Sequence, residues 1–206
     1  MAIPVLILGE SGSGKTYSIR NLDPATTGIL SVEKGRLPFR GDFKVVKNAT
    51  YSTIEAALKR GTMKTYIIDD AQYLMVNEEF DRFRESGYTK YAEMALNFRN
   101  LIHMVNKEMP DSIVVYFLHH TQTTADGTIK AKTIGKMIDD KLTLEGCFDI
   151  VLMAKILNGE HVFQTKGEVG TTVKSPVGMF ETDNIPNDLA IVSKAIADFG
   201  WLESDA

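Results

Sequence analysis

Eight residues near the start of the chain, Gly9-Glu10-Ser11-Gly12-Ser13-Gly14-Lys15-Thr16, restrict what it can fold into more than any other stretch. They fit the pattern G-x-x-x-x-G-K-[ST]. Three glycines allow a tight turn whose backbone N–H groups converge on one anion. The lysine that follows can reach the outer phosphates of a polyphosphate, and the next hydroxyl can hold Mg²⁺. The flanks agree with this. Ile3–Leu8 is a short apolar run that reads as a buried strand, with Pro4 tolerable near its start. Tyr17–Leu22 suits a helix that stops before Asp23-Pro24. Strand, glycine loop and helix would set a triphosphate at a helix N-terminus. The candidate contacts for ATP are therefore Gly9, Glu10, Ser11, Gly12, Ser13, Gly14, Lys15, Thr16 and Tyr17, with Lys15 also catalytic and Thr16 also a metal ligand.

A second acidic signal lies downstream. Thr65-Tyr-Ile-Ile-Asp-Asp70 is an apolar run that ends in two carboxylates. A buried parallel strand that delivers an acid to the Mg²⁺ shell has this pattern. Asp69 is the expected metal residue, with Asp70 as its neighbour or a second acid. Glu33 ends an earlier strand, Gly28–Val32, and can polarise the water that attacks the γ-phosphate. A strand-ending glutamate is also often just a solvated cap, and the residues leave both readings open. Ser112–Leu118 is a third apolar strand and empties into His119-His120-Thr121-Gln122. His119 and Gln122 are the candidates to sense the γ-phosphate there, beside the alternative of a structural histidine.

The remaining segments are a helix over Thr53–Arg60, helices over Asn77–Arg84 and Tyr91–Met109, and a strand at Phe43–Val46. In Tyr91–Met109 the apolar residues recur at three- and four-residue steps, the stripe of a core-facing helix. Thr123–Thr133 reads as a flexible polar loop turning at Asp126-Gly127, and Gly135–Leu144 as a helix. Lys130, Lys132 and Lys136 carry no acid between them. Spaced lysines and threonines suit contact with a phosphate backbone, and a plain solvated loop fits them too. Phe148–Ile156 and His161–Thr165 are joined through Asn158-Gly159, the strongest short hairpin signal. Thr171–Phe180 reads as extended and Asn187–Phe199 as an amphipathic C-terminal helix.

Composition sets the outer limits. The chain has 206 residues, 44% of them hydrophobic, which suits one domain over 1–206. One cysteine, Cys147, excludes an internal disulfide and suits a reducing, cytoplasmic setting. The N-terminal apolar run is too short for a signal peptide and no segment is long enough to span a bilayer, so no membrane partner is expected. A net charge of −4 argues against a broad nucleic-acid-coating surface and leaves room for a local basic groove.

The class is therefore α/β: a phosphate-loop nucleoside-triphosphatase with a mostly parallel central sheet, flanking helices and a C-terminal antiparallel hairpin. All seven arginines lie at or before Arg99. AAA+ motors usually need later arginines for a finger and a small-domain sensor, whereas the RecA-like core resembles this chain from Gly9 to about Lys166. More narrowly, the chain resembles the short RecA-like ATPases of bacteriophages, often called AAA-family ATP-binding proteins, which include single-strand annealing recombinases. The residues that carry this resemblance are Gly9–Thr16 with Asn21-Leu-Asp-Pro24, Asp69-Asp70, and Gly135-Lys136 leading into Phe148-Asp149. It implies an ATPase that uses Mg²⁺ and acts on single-stranded DNA, working as a homo-oligomer (ring or filament) and with a phage single-stranded-DNA-binding protein. It also implies a lysine supplied by a neighbouring copy at the γ-phosphate, with Lys166 as the candidate and Lys155 or Lys174 behind it. Two other readings stay open, an ATP-gated DNA-binding or assembly protein with little turnover, and a small-molecule kinase on the same core. Asn106-Lys107-Glu108-Met109 lacks the Asp that would read guanine, so the expected nucleotide is ATP.

Overall fold

The strand before the glycine loop, β1 (Ile3–Leu8), alternates between two apolar clusters. Leu6 and Leu8 enter one, and Ile3, Val5 and Ile7 the other. β5 (Val114–His119) splits the same way, with Val115 and Phe117 on one face and Val114, Tyr116 and Leu118 on the other. Strands apolar at consecutive positions need cover on both faces, and the chain supplies it. In the computed structural model, which describes residues 1–33, 35–134 and 143–202, helices lie on both sides of one eight-stranded sheet.

On one face pack α1 (Tyr51–Arg60), α2 (Tyr73–Asp81) and α3 (Thr89–Glu108). The expected α3 stripe is the one that packs, with Met94, Phe98, Leu101, Ile102 and Val105 all buried. On the other face lie the segment after the glycine loop, through Ile19 and Leu22, and α4 (Leu189–Asp198), through Leu189, Val192 and Ile196. Among the described residues no helix is long and apolar enough to cross a membrane.

The remaining strands of this sheet are β2 (Thr27–Ser31), β3 (Lys44–Lys47), β4 (Thr65–Asp69), β8 (Ile150–Leu157), β9 (Glu160–Gln164) and β10 (Asn184–Pro186). Their order is β10-β9-β8-β1-β5-β4-β2-β3. From β8 to β3 every neighbour is parallel, and β9 and β10 add antiparallel at the other edge. The register pairs Leu8 with His119 and Ser31 with Asp69, so four strands end at one rim of the sheet. Ligands of parallel α/β sheets bind outside that carboxyl rim.

Three expectations need correction. After the glycine loop the chain forms a short 3₁₀ helix, Thr16–Asn21, and not an α-helix. Asn21 is its last residue, Leu22 is already extended, and Pro24 bars Asp23 from resuming a helix. The polar segment from Thr121 is no open loop. β6 (Thr121–Thr123) and β7 (Ile129–Ala131) pair as a separate small hairpin around Asp126-Gly127. Its turn is fastened by Asp126, whose carboxylate accepts from the Thr124 and Thr128 hydroxyls. Thr171–Phe180 contributes only isolated bridges, and the sheet instead gains β10, which no sequence signal announced. The expected helix at Gly135–Leu144 falls mostly on residues 135–142, outside those described, and Leu144 opens a short 3₁₀ turn, Leu144–Cys147.

Candidate nucleotide site

Directly after β1 the chain wraps a cavity of about 320 Å³ at the carboxyl rim. The loop forms its floor through Ser11, Gly12, Gly14, Lys15 and Thr16. Asp69, Asp70 and His120 close one side, Tyr17 and His161 the other, and Arg36 and Pro38 reach in at the mouth.

The loop is held from both strands beside β1. On the β5 side, the Gly9 amide donates to the His119 carbonyl at 3.2 Å. On the β8–β9 side, His161 Nδ1 lies 3.0 Å from the Ser13 carbonyl oxygen, so that nitrogen carries the proton. Gly14 has φ +98°, and a β-carbon on it would sit 2.8 Å from His161 Nδ1. Only glycine meets both demands. Lys15 is buried, and its ammonium donates to the Gly9 and Glu10 carbonyls at 2.7 and 2.8 Å.

The acidic side is joined to the loop directly. The Thr16 hydroxyl donates to Asp69 Oδ1 at 3.0 Å, across 53 residues of sequence. Burial first, then the neighbouring Asp70 carboxylate, push Asp69 up to about 6, while Thr16 and Lys15 pull the other way. Asp69 sits on β4, yet β5 lies between β4 and β1. In the sheet β5 therefore separates the strand that carries the acid from the strand that leads into the loop. Asp70 has φ +60°, and its Oδ1 lies 3.3 Å from His120 Nε2. A hydroxyl and a carboxylate in contact at the foot of an anion-binding loop form the oxygen donor set that Mg²⁺ accepts beside phosphate oxygens and water. Among the described residues no cluster of three or more His, Cys, Asp or Glu side chains offers an all-protein metal cage.

The rest of the expected set is placed differently. His119 does not face the cavity. It is fully buried, packs edge-on to Phe98 at 5.7 Å, and its Nε2 lies 2.8 Å from the Lys132 carbonyl. Burial pushes it down to about 4, so it is neutral. Of these two adjacent histidines, His120 is the one that lines the cavity. Alternation along β5 carries this information: His119 shares the face of Phe117, which packs on α3, while His120 is the first residue past the strand. Gln122 lies on β6 opposite Lys130, off the cavity wall. Glu33 follows β2 with its carboxylate exposed, and accepts from Asn77 Nδ2 at 3.0 Å. Lys166 is exposed and pairs with Asp183 at 2.7 Å, outside the cavity of its own chain. Lys130 and Lys132 sit on or just past β7, Lys132 exposed and Lys130 half-buried. Lys136 is outside the described residues. Sequence reasoning missed Arg36 and His161, although His161 stands two residues after the hairpin turn it had marked.

The family model described as AAA domain matches residues 1–177, most of the chain and all of this cavity. The chain belongs to the AAA domain family. No curated protein matches it. Family and fold agree that this AAA domain is a nucleotide-binding phosphate-loop protein of the ATPase type, with a mostly parallel sheet covered on both faces.

Proposed function

We propose that this AAA domain protein binds MgATP on Gly9–Thr16, hydrolyses it, and couples that cycle to single-stranded DNA as a RecA-like phage ATPase of recombination or replication. The observation that carries the ATP reading is the Thr16–Asp69 hydrogen bond, which joins the two halves of the nucleotide site. Thr16 and Asp69 would hold Mg²⁺, which supplies charge neutralisation at the phosphates. Lys15 would bind the outer phosphates, and Tyr17 lines the same cavity beside the loop. His120, and not His119, stands where a γ-phosphate contact is wanted. Support for the DNA reading is topological. β5 ends in His119, His120 leads straight into the β6–β7 hairpin, and His119 is bonded to the Lys132 carbonyl. A shift at Asp70 and His120 thus has a short route to Lys130 and Lys132. Lys136 belongs to the same proposed DNA contact.

Assembly enters the proposal through the terminal phosphate. A neighbouring copy's Lys166 would add positive charge there, in a homo-oligomeric ring or filament. The second reading, an ATP-gated DNA-binding protein with little turnover, is favoured by one observation, that Glu33 is exposed and held by Asn77 off the cavity wall. The deciding experiment measures phosphate release with and without single-stranded DNA, for the wild type and for Glu33→Gln. The ATPase reading expects stimulation by DNA and loss of turnover in Glu33→Gln with ATP still bound. Equal slow rates in both proteins, with ATP still gating DNA binding, would replace it by the second reading.

A further inference from the structure

One guanidinium reaches the phosphate cavity, and no motif pointed to it. Arg36 lines the mouth together with Lys15, Thr16, Asp69, Asp70 and His120. It comes from the turn after β2, and β2 lies beyond β4 from β1. That places it at the acid end of the cavity, away from Tyr17 and His161. The backbone around it is fixed on both sides. The Gly35 amide donates to the Ser31 hydroxyl at 2.9 Å. Leu37, Phe39 and Phe43 pack against the core, with Phe39 and Phe43 edge to face at 5.8 Å. The side chain itself is exposed, and among the described residues no acid or carbonyl pairs with it. A held backbone with an unpaired cation aimed at an anion cavity is poorly explained as a solvated surface arginine.

Charge points the same way. Two carboxylates against one ammonium leave this cavity short of positive charge for a polyphosphate. Two other cations are engaged elsewhere, Lys166 with Asp183 and Arg20, which follows the glycine loop, with the Asn187 carbonyl at 2.6 Å. We infer that Arg36 is a phosphate-contacting residue supplied in cis, closing on the terminal phosphoryl oxygens of ATP bound to the same chain. This rests on the ATP reading above and extends it. In hydrolysis the bond from the γ-phosphorus to the bridging oxygen breaks with its electron pair leaving on ADP, while water supplies the new oxygen and its proton passes to the phosphate product or solvent. Arg36 transfers no proton. It donates N–H bonds to the terminal oxygens, where a planar fork suits two at once. A neighbour's Lys166 would then add to the charge at that phosphate and not create it.

The test pairs binding with turnover. Affinities for MgATP and MgADP are measured on the wild type, Arg36→Ala and Arg36→Lys, with thermal melting as the control for folding. A cis contact to the terminal phosphate predicts that Arg36→Ala weakens ATP roughly tenfold or more, as loss of one charged hydrogen-bonded contact does, and leaves ADP within about twofold. Turnover should fall about a thousandfold, the low end for a transition-state arginine, with partial recovery in Arg36→Lys. Mixing Arg36→Ala with Lys15→Ala protomers should restore nothing, since each active loop then lacks its own arginine. Equal loss of ATP and ADP affinity, or unchanged affinity for both, would overturn the proposal and leave the ATP reading standing. Recovery of activity in the mixture would overturn the cis assignment. A wild type that binds neither nucleotide would sink the proposal together with the reading it rests on.

Discussion

The parallel sheet carries two antiparallel hairpins, and they reach the phosphate loop by different means. β8–β9 belongs to the main sheet. Its strands share a five-pair register, Met153, Ala154 and Phe163 are buried, and His161 bonds directly to the loop. β6–β7 is a separate sheet with three residues in each strand. A lone pair of short strands is marginal in water, and it is held from outside by a backbone bond from the Ile129 amide to the Gly170 carbonyl at 2.8 Å and by side chains. Glu145 accepts from the Ala131 amide at 2.7 Å and from the Thr172 hydroxyl at 3.1 Å, and His119 meets the Lys132 carbonyl. The first hairpin is a buttress for the loop. The second hangs from the acid side of the site on these few contacts.

Substitutions can break this contrast, and the largest effect falls outside both hairpins. Lys15→Ala should cut turnover by about a hundredfold or more, the scale of losing one preorganised charge stabiliser, whichever hairpin is altered beside it. Phosphate release under saturating ATP checks this. Next comes the hanging hairpin. Replacing Lys130, Lys132 and Lys136 together should weaken binding to single-stranded DNA and flatten the salt dependence by up to roughly 3 in slope, with ATP affinity unchanged. An unaltered slope in a salt titration would remove these lysines from the interface.

A pH experiment sharpens the link between acid side and hairpin. Asp69 is raised to about 6 and His119 lowered to about 4, against about 3.9 and 6.5 in an unfolded chain. Between about pH 4 and 6 the folded protein keeps a proton on Asp69, whereas the unfolded chain keeps one on the histidine. Asp69 alone makes stability fall as pH rises through that window. His119 alone makes it rise, and the two slopes cancel. Asp69→Asn should therefore show stability rising with pH by about 1.4 kcal/mol per unit there, and His119→Gln should show it falling by about as much. Denaturant titrations at several pH values read both slopes, and flat curves in both variants would contradict the burial assigned to these groups. The smallest effect belongs to the buttress. His161→Ala removes one half-buried hydrogen bond to the loop, worth about 1 kcal/mol, and should weaken ATP several-fold without touching the DNA salt slope.

What the sequence disclosed follows from how local each signal is. The glycine loop, the apolar strands and the Asn158-Gly159 turn (φ +53° and +85°) are written in adjacent residues, and each forms where those residues direct. The acid pair at Asp69-Asp70 also ends its strand at the rim that the loop needs. What could not be read depends on side-chain facing and distant partners. His119 and His120 are neighbours in sequence but lie on opposite sides of a strand end, and only the packing of Phe98 and α3 decides which of them sees the cavity. Arg36 comes from a loop with no motif and arrives through strand order. The tight 3₁₀ form of the helix after the loop likewise has no signal in adjacent residues.

The central claim is that Thr16 and Asp69 hold MgATP together. Calorimetric titration of ATP into the wild type and Asp69→Asn, each with and without Mg²⁺, tests it most directly. The account predicts that Mg²⁺ strengthens ATP binding to the wild type and that this gain is largely lost in Asp69→Asn, while metal-free binding changes little. An equal Mg²⁺ gain in both proteins, or no ATP binding by the wild type, would contradict it.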